Sequence, residues 1–135
     1  MTVLLVDVAN VVGARPDGWW RDRAGATARL LARLALVAPT LIAPDGSPVT
    51  GVVAVVEGRA RGVAAPESIE VRRSEGSGDD VVVAAAAELA GEGTPLLVVT
   101  ADRGLRARLP TVAAVAGPGW LLERLDGTAE RWRAT

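Results

Sequence analysis

The chain has 135 residues, half of them apolar, and a formal charge of −1, which fits one compact domain with a sizeable core and no strong general attraction to polyanions. It has no cysteine, histidine or tyrosine and all 15 basic residues are arginine, so thiol catalysis, imidazole bases, histidine-bound zinc and lysine chemistry are excluded. Without a membrane-length apolar run or a leader-like N-terminus, we expect a cytoplasmic protein with no membrane partner.

Strand and helix patterns alternate along the first half of the chain. The continuous apolar run at 3–6 predicts a strand buried on both faces, as in a parallel sheet. A helix is predicted from Asp17, a candidate N-cap, to about Ala38. The face of this helix that we expect to be buried carries Ala24, Ala28, Leu31 and Ala35. Further strands are predicted at 52–56 and 68–73.

The second half repeats the alternation. The predicted elements are a helix at 79–90, a strand at 94–100, a helix at 101–109, a strand at 111–116 and a helix from Pro118. Strands separated by helices indicate a Rossmann-like, three-layer α/β/α sandwich with a central, mostly parallel sheet of about five strands. We expect one domain over residues 1–126 and a C-terminal tail over residues 127–135.

Acidic residues stand at or just after the ends of the predicted strands. They are Asp7, Glu57, Asp79, Asp80 and Asp102. Because ligands of open parallel sheets collect at the carboxyl ends of the strands, we expect these acids to converge on one edge. Neighbouring carboxylates raise one another's pKa unless a cation neutralises them. The pattern therefore predicts a divalent cation held by oxygen, Mg²⁺ or Mn²⁺, which suits phosphodiester hydrolysis.

Each of these acids also has a structural interpretation. Asp79, Asp80 and Asp102 could serve as first-turn or capping acids of helices. Glu57 could form a salt bridge with the arginines that follow it. Asp7 is the hardest to explain in this way, because an acid directly after a buried apolar strand needs a counter-charge or several hydrogen-bond donors.

Three short motifs, in this order and on these elements, resemble those of the PIN-like nucleases, specifically the NYN branch. They are DVAN at 7–10, GDD at 78–80 and TADRGL at 100–105. The resemblance spans nearly the whole chain and implies a compact α/β/α domain with a Mg²⁺- or Mn²⁺-dependent ribonuclease site. One departure is Val at position 8, where NYN members often have Gly.

The resemblance also implies roles for individual residues. Asp7, Asp79 and Asp102 would hold the metal, with Asp80 as a further ligand and Glu57 as the acid after the second strand. Asn10 would orient Asp7, although it could instead only cap the loop that follows. Arg103 would stabilise the charge that develops on the phosphoryl oxygens.

The stretch PDGWWRDR at 16–23 predicts contacts with a nucleic acid. Trp19 and Trp20 could stack on bases while Arg15, Arg21 and Arg23 contact phosphates. The alternative is that one tryptophan packs inward, because consecutive helical residues point about 100° apart.

The predicted function is therefore a metal-dependent ribonuclease that hydrolyses RNA phosphodiester bonds, with RNA as its partner. Two alternatives stay open. One is a nucleoside triphosphate pyrophosphohydrolase, and the other is a catalytically silent RNA-binding or protein-interaction module of the same fold. A homodimer is a further open expectation.

Overall fold

The computed structural model describes residues 1–134, apart from the side chains of residue 59 and of residues 128–134. The strands are β1 (Thr2–Asp7), β2 (Val49–Glu57), β3 (Glu70–Ser74), β4 (Leu96–Val99) and β5 (Ala114–Ala116). The helices are α1 (Val8–Gly13), α2 (Arg23–Val37), α3 (Asp79–Gly91), α4 (Arg103–Ala107) and α5 (Pro118–Ala134). Short 3-10 turns lie at Trp19–Arg21, Ala38–Thr40 and Gly58–Ala60.

The five strands form one parallel sheet in the order β3-β2-β1-β4-β5. The central strand β1 pairs with β2 on one side and with β4 on the other. Strand order therefore reverses between β1 and β4, and the crevice beside such a reversal is where open α/β sheets bind ligands. The predicted α/β class with a parallel sheet of about five strands is confirmed.

Helices cover both faces of this sheet. On one face α1, α2 and α5 pack against Leu4 and Val6 of β1, and on the other face α3 and α4 pack against Leu5. Successive side chains of a strand point to opposite faces. Both faces of β1 are thus buried, which explains the unbroken apolar run that predicted it. The molecule has the three layers expected from the sequence.

The first helical region differs from its prediction in three ways. A short helix, α1, directly follows β1. The next helix is capped by Asp22 and not by Asp17, and the Asp22 carboxylate accepts a hydrogen bond from the Gly25 N–H at 2.9 Å. The predicted buried face of α2 was half right: Leu31 is buried and Ala35 packs against the core, but Ala24 and Ala28 are exposed. The buried residues of α2 are Ala26, Thr27, Leu30, Leu31, Leu34 and Val37.

Helix α5 continues past residue 126, where the predicted domain ended, to Ala134. The side chains of residues 128–134 and the whole of residue 135 lie outside the described residues. The C-terminal tail therefore stays a prediction, as does the homodimer, because the structure contains a single chain. None of the described helices is both long enough and apolar enough to cross a bilayer.

Candidate active site

An open cleft of about 590 Å³ lies at the carboxyl edge of the sheet, beside the reversal of strand order. Four of the five acids singled out in the sequence line it, and we call this space the acidic cleft. They come from the end of β1, the end of β2, the start of α3 and the residue before α4, and they are Asp7, Glu57, Asp79 and Asp102. The expected convergence of acids from distant segments is therefore present for these four.

Asp7 lies at the bottom of the site and is only 5% exposed. Its Oδ2 accepts a hydrogen bond from the Thr100 hydroxyl at 3.0 Å. The pKa of Asp7 is raised to about 6, mainly by burial and to a smaller extent by the nearby charges of Asp79 and Glu57, while hydrogen bonds from the Thr100 hydroxyl and the Asn10 backbone oppose the rise. Removal from water thus contributes more to this pKa than repulsion between the acids does.

Asn10 and Thr100 connect the loop after β1 to the loop after β4. The Asn10 side-chain oxygen accepts a hydrogen bond from the Ala101 N–H at 2.8 Å, so this side chain holds the second loop, while the Asn10 backbone contacts Asp7. The Thr100 hydroxyl, which donates to Asp7, also accepts a hydrogen bond from the Asp102 N–H at 3.2 Å. Thr100 was not among the predicted site residues, although it opens the TADRGL motif and ends a buried strand.

Glu57 reaches across the cleft to the start of α3. Its Oε2 accepts a hydrogen bond from the Gly78 N–H. A Cβ on residue 78 would lie 2.9 Å from this oxygen, so a larger residue there would require the end of the Glu57 side chain to move. Among the described side chains no ion pair joins Glu57 to Arg61, and the side chain of Arg59 is outside the description.

The two adjacent acids of α3 have different environments. Asp79 is half-buried and lines the acidic cleft. Asp80 does not line it and instead accepts a hydrogen bond from Arg108 Nη2 at 2.6 Å. Asp102 combines both interpretations, because it lines the cleft and also caps α4 by accepting a hydrogen bond from the Leu105 N–H at 3.0 Å.

The acids of the cleft do not form a ready-made metal cage. Within the part of the chain that the structure describes, no group of three acidic side chains is arranged to hold one ion. None of the ion pairs among the described side chains involves an acid of the cleft either. The site therefore concentrates hard oxygen donors that no arginine with a described side chain pairs with directly, which fits a cation ligand set in its chemistry.

One wall of the cleft is aromatic and cationic. Trp19 and Arg23 line it, and the Arg23 guanidinium lies 5.3 Å from the centre of the Trp19 ring. Trp20 is 57% exposed and meets Trp19 edge-on at 6.0 Å, and Arg21 lies 6.0 Å from the Trp20 ring. Neither Trp20 nor Arg21 lines the cleft itself, but both adjoin it through Trp19.

Two of the predicted contacts lie elsewhere. Arg15 forms an ion pair with Asp126 at 2.9 Å and lines a second cavity. Arg103 is exposed and is not part of the lining of the acidic cleft. Among the described side chains, Arg23 of the PDGWWRDR stretch is the arginine that lines the cleft.

The comparisons with known proteins identify a shared fold. No protein-family model matches this chain, and no curated protein matches it in sequence. Among solved structures, Rae1 (YacP) from Bacillus subtilis is similar, with a TM-score of 0.74 and 20% identity over 99% of this chain and 79% of that one. A mutant of the same protein gives a TM-score of 0.69 and 20% identity over 97% of this chain and 79% of that one. This likeness supports the three-layer α/β/α architecture.

Proposed function

We propose that this chain is a metal-dependent ribonuclease that uses Mg²⁺ or Mn²⁺. The observation that carries the proposal is the presence of four carboxylates, from four separate segments, in one cleft at the carboxyl edge of the sheet. The choice of RNA rests on the resemblance of the DVAN, GDD and TADRGL motifs to those of the NYN branch. The likeness in fold to Rae1 (YacP) is consistent with that resemblance.

The electrostatics of the cleft support a cation. Asp7 is buried, and two further acids lie near enough to raise its pKa. Keeping these groups ionised together at neutral pH is unfavourable unless positive charge is added. Because no three acids form a cage in the described arrangement, the proposal requires that a bound cation draws Asp79 or Glu57 towards Asp7.

The residues of the chain would divide the work as follows. Asp7, Asp79 and Asp102 would hold the cation, with Glu57 as a fourth ligand. When bound, the cation would withdraw charge from the phosphate and lower the pKa of water. The chain has no histidine, cysteine or tyrosine, so carboxylates and water must carry the protons.

The wall of the cleft would position the substrate. The Arg23 guanidinium would contact a phosphate, a role that its planar fork suits, and Trp19 would stack on a base. We assign the phosphate contact to Arg23 in preference to Arg103, because only Arg23 lines the cleft. Trp20 and Arg21 would extend the same surface outward.

The proposal is tested by incubating the protein with end-labelled single-stranded RNA and Mn²⁺ and following the length of the RNA on a gel. We expect the wild type to shorten the RNA. Asp7→Asn and Asp79→Asn should each lower the rate by at least about 100-fold, more than the loss of a residue that only orients a metal ligand. Glu92→Gln is the matched control, because Glu92 is exposed and lies outside the acidic cleft.

Two results would replace the proposal with one of its alternatives. Release of pyrophosphate from free nucleoside triphosphates, without shortening of RNA, would indicate a pyrophosphohydrolase. A calorimetric titration in which wild type and Asp7→Asn both bind no Mn²⁺ would indicate the silent module. The lack of a three-acid metal cage among the described residues is the observation that favours this alternative.

A further inference from the structure

A second cavity of about 330 Å³ lies between α1, α2 and α5, and we call it the arginine groove. Its floor is formed by apolar side chains of these three helices. Its polar rim is formed by Arg15, Arg29, Arg33, Asp17 and Asp126. The rim therefore has one positive charge more than it has negative charges.

The arginine groove adjoins the acidic cleft. Val12 of α1 lines both spaces. Helix α2 also contributes to both, because Arg23 in its first turn lines the cleft whereas Arg29 and Arg33 line the groove. At a rise of 1.5 Å per residue, Arg29 and Arg33 lie about 9 Å and about 15 Å beyond Arg23 along the helix axis. Arg29 and Arg33 are also turned by about 120° and about 80° around the helix axis from Arg23, so a ligand that leaves the cleft past Val12 would pass partly around α2 to reach them.

We propose that the arginine groove binds the phosphate backbone of the RNA strand next to the nucleotides that occupy the acidic cleft. The protein would then recognise a strand of several nucleotides and not a single scissile linkage. This inference rests on the proposed function, because both concern the same strand. An apolar floor with a cationic rim suits single-stranded RNA, whose bases and phosphates need different surroundings.

The contacts of the three arginines support this role. Arg33 is held in place by hydrogen bonds from its Nε and Nη2 to the Leu125 carbonyl, at 3.3 and 3.2 Å. Arg29 is exposed. Arg15 is paired with Asp126, but both side chains are well exposed, at 39% and 53%. Since such pairs contribute little free energy, a phosphate can replace the carboxylate.

The position of the groove next to the acidic cleft favours RNA over the other ligands that could fit the groove. An acidic peptide, or a second copy of this chain, would be attracted by the same rim. Neither would need a groove that adjoins the cleft at Val12 and shares helix α2 with it. A strand already held in the cleft would enter the groove at no further cost in translational freedom.

The test measures RNA binding separately from cleavage. Fluorescein-labelled single-stranded RNAs of 3 and 12 nucleotides are titrated by anisotropy against the Asp7→Asn protein in EDTA. Adding Arg29→Gln should weaken binding of the 12-mer severalfold and leave the 3-mer unchanged. The slope of log K against log salt should fall by about 0.7 for each phosphate that no longer pairs with an arginine. Arg15→Gln should act in the same direction.

Asp126→Asn is a second variant with the opposite expected sign. It removes the carboxylate that competes for Arg15, so the 12-mer should bind more tightly. Arg72→Gln is the control for losing one positive charge outside the groove, and it should leave RNA binding unchanged. Arg72 pairs with Glu88 of α3, on the other face of the sheet. Thermal unfolding of every variant checks that each is folded.

The outcomes separate the two proposals. If the 12-mer binds the parent protein but Arg15→Gln and Arg29→Gln leave its affinity and salt slope unchanged, the groove proposal is wrong and the ribonuclease proposal stands. If neither RNA binds the parent protein in EDTA, the groove proposal fails, whereas the ribonuclease proposal is decided by the cleavage assay with Mn²⁺. If Arg29→Gln alters self-association in sedimentation, or binding of an acidic peptide, without altering RNA binding, the groove belongs to that other ligand.

Discussion

Asp7 is the residue in which burial and charge conflict most. In the native state its pKa is raised to about 6 from an ordinary value of 3.8, chiefly by burial. The native state therefore holds the proton more tightly than the unfolded state does. As pH rises from 3.8 to 6, stability falls, and above about pH 6 the ionised carboxylate destabilises the metal-free protein by about 3 kcal/mol at most.

We predict that Asp7→Asn stabilises the metal-free protein at pH 8. The amide keeps an oxygen for the Thr100 hydroxyl and carries no charge, so the melting temperature should rise by several degrees. The gain should shrink towards pH 4, where the wild-type carboxyl group is already protonated. Thermal unfolding in EDTA at both pH values measures this, and an equal gain at the two values would contradict it.

Thr100 offers a second prediction, because its buried hydroxyl connects Asp7 with the backbone of Asp102. Thr100→Val keeps the shape and removes the hydroxyl, and we expect a loss of about 10- to 100-fold in Mn²⁺ affinity or in RNA cleavage. Thr100→Ser is the matched control and should retain most of both. Loss of activity in Thr100→Ser to the level of Thr100→Val would show that the methyl group matters and not the hydrogen bonds.

At the scale of elements, the strands could be predicted from the sequence better than the helices. The apolar runs of β1, β2 and β4 are unbroken, and such short continuous runs are typical of strands that are buried on both faces of a sheet. Helix α1 has only 6 residues, too few to display a helical period, and it was missed. The buried face of α2 was assigned only in part, because alanines fit either face: Leu31 was predicted correctly, whereas Leu30 and Leu34, which also fill the core, were not.

The same limit applies to the site. The positions of Asp7, Glu57, Asp79 and Asp102 could be predicted, because strand ends meet at one edge whatever the side chains do. Side-chain directions could not be, because they depend on distant partners. Asp80 turns to Arg108, 28 residues away, and Asn10 accepts from the Ala101 N–H, 91 residues away.

The start of α2 gives a prediction at the scale of one element. The Asp22 side chain caps this helix, so Asp22→Ala should lower the free energy of unfolding by about 1 kcal/mol. Asp17→Ala, at the cap expected from the sequence, is the control and should change it by less than about 0.5 kcal/mol. Urea unfolding followed by circular dichroism measures both, and equal effects would contradict the assignment of the cap to Asp22.

At the scale of the whole molecule, one sheet separates two apolar clusters. The cluster with α1, α2 and α5 is the larger and extends to Leu121 and Leu125, and the cluster with α3 and α4 is smaller. The acidic cleft lies beyond the ends of β1 and β2, where both layers contribute residues. The arginine groove lies entirely within the larger layer. The two sites therefore share α1 and α2, and the proposed path of RNA follows those helices.

The pairing of β1 with β4 determines when the cleft can exist. Asp7 and Thr100 are 93 residues apart, and the hydrogen bond between them can form only after β4 has docked beside β1. A chain still emerging during synthesis contains Asp7 early but has no partner for it until the last third follows. The order of strands therefore delays assembly of the four-acid site until the segment through Asp102 has been made and has docked beside β1.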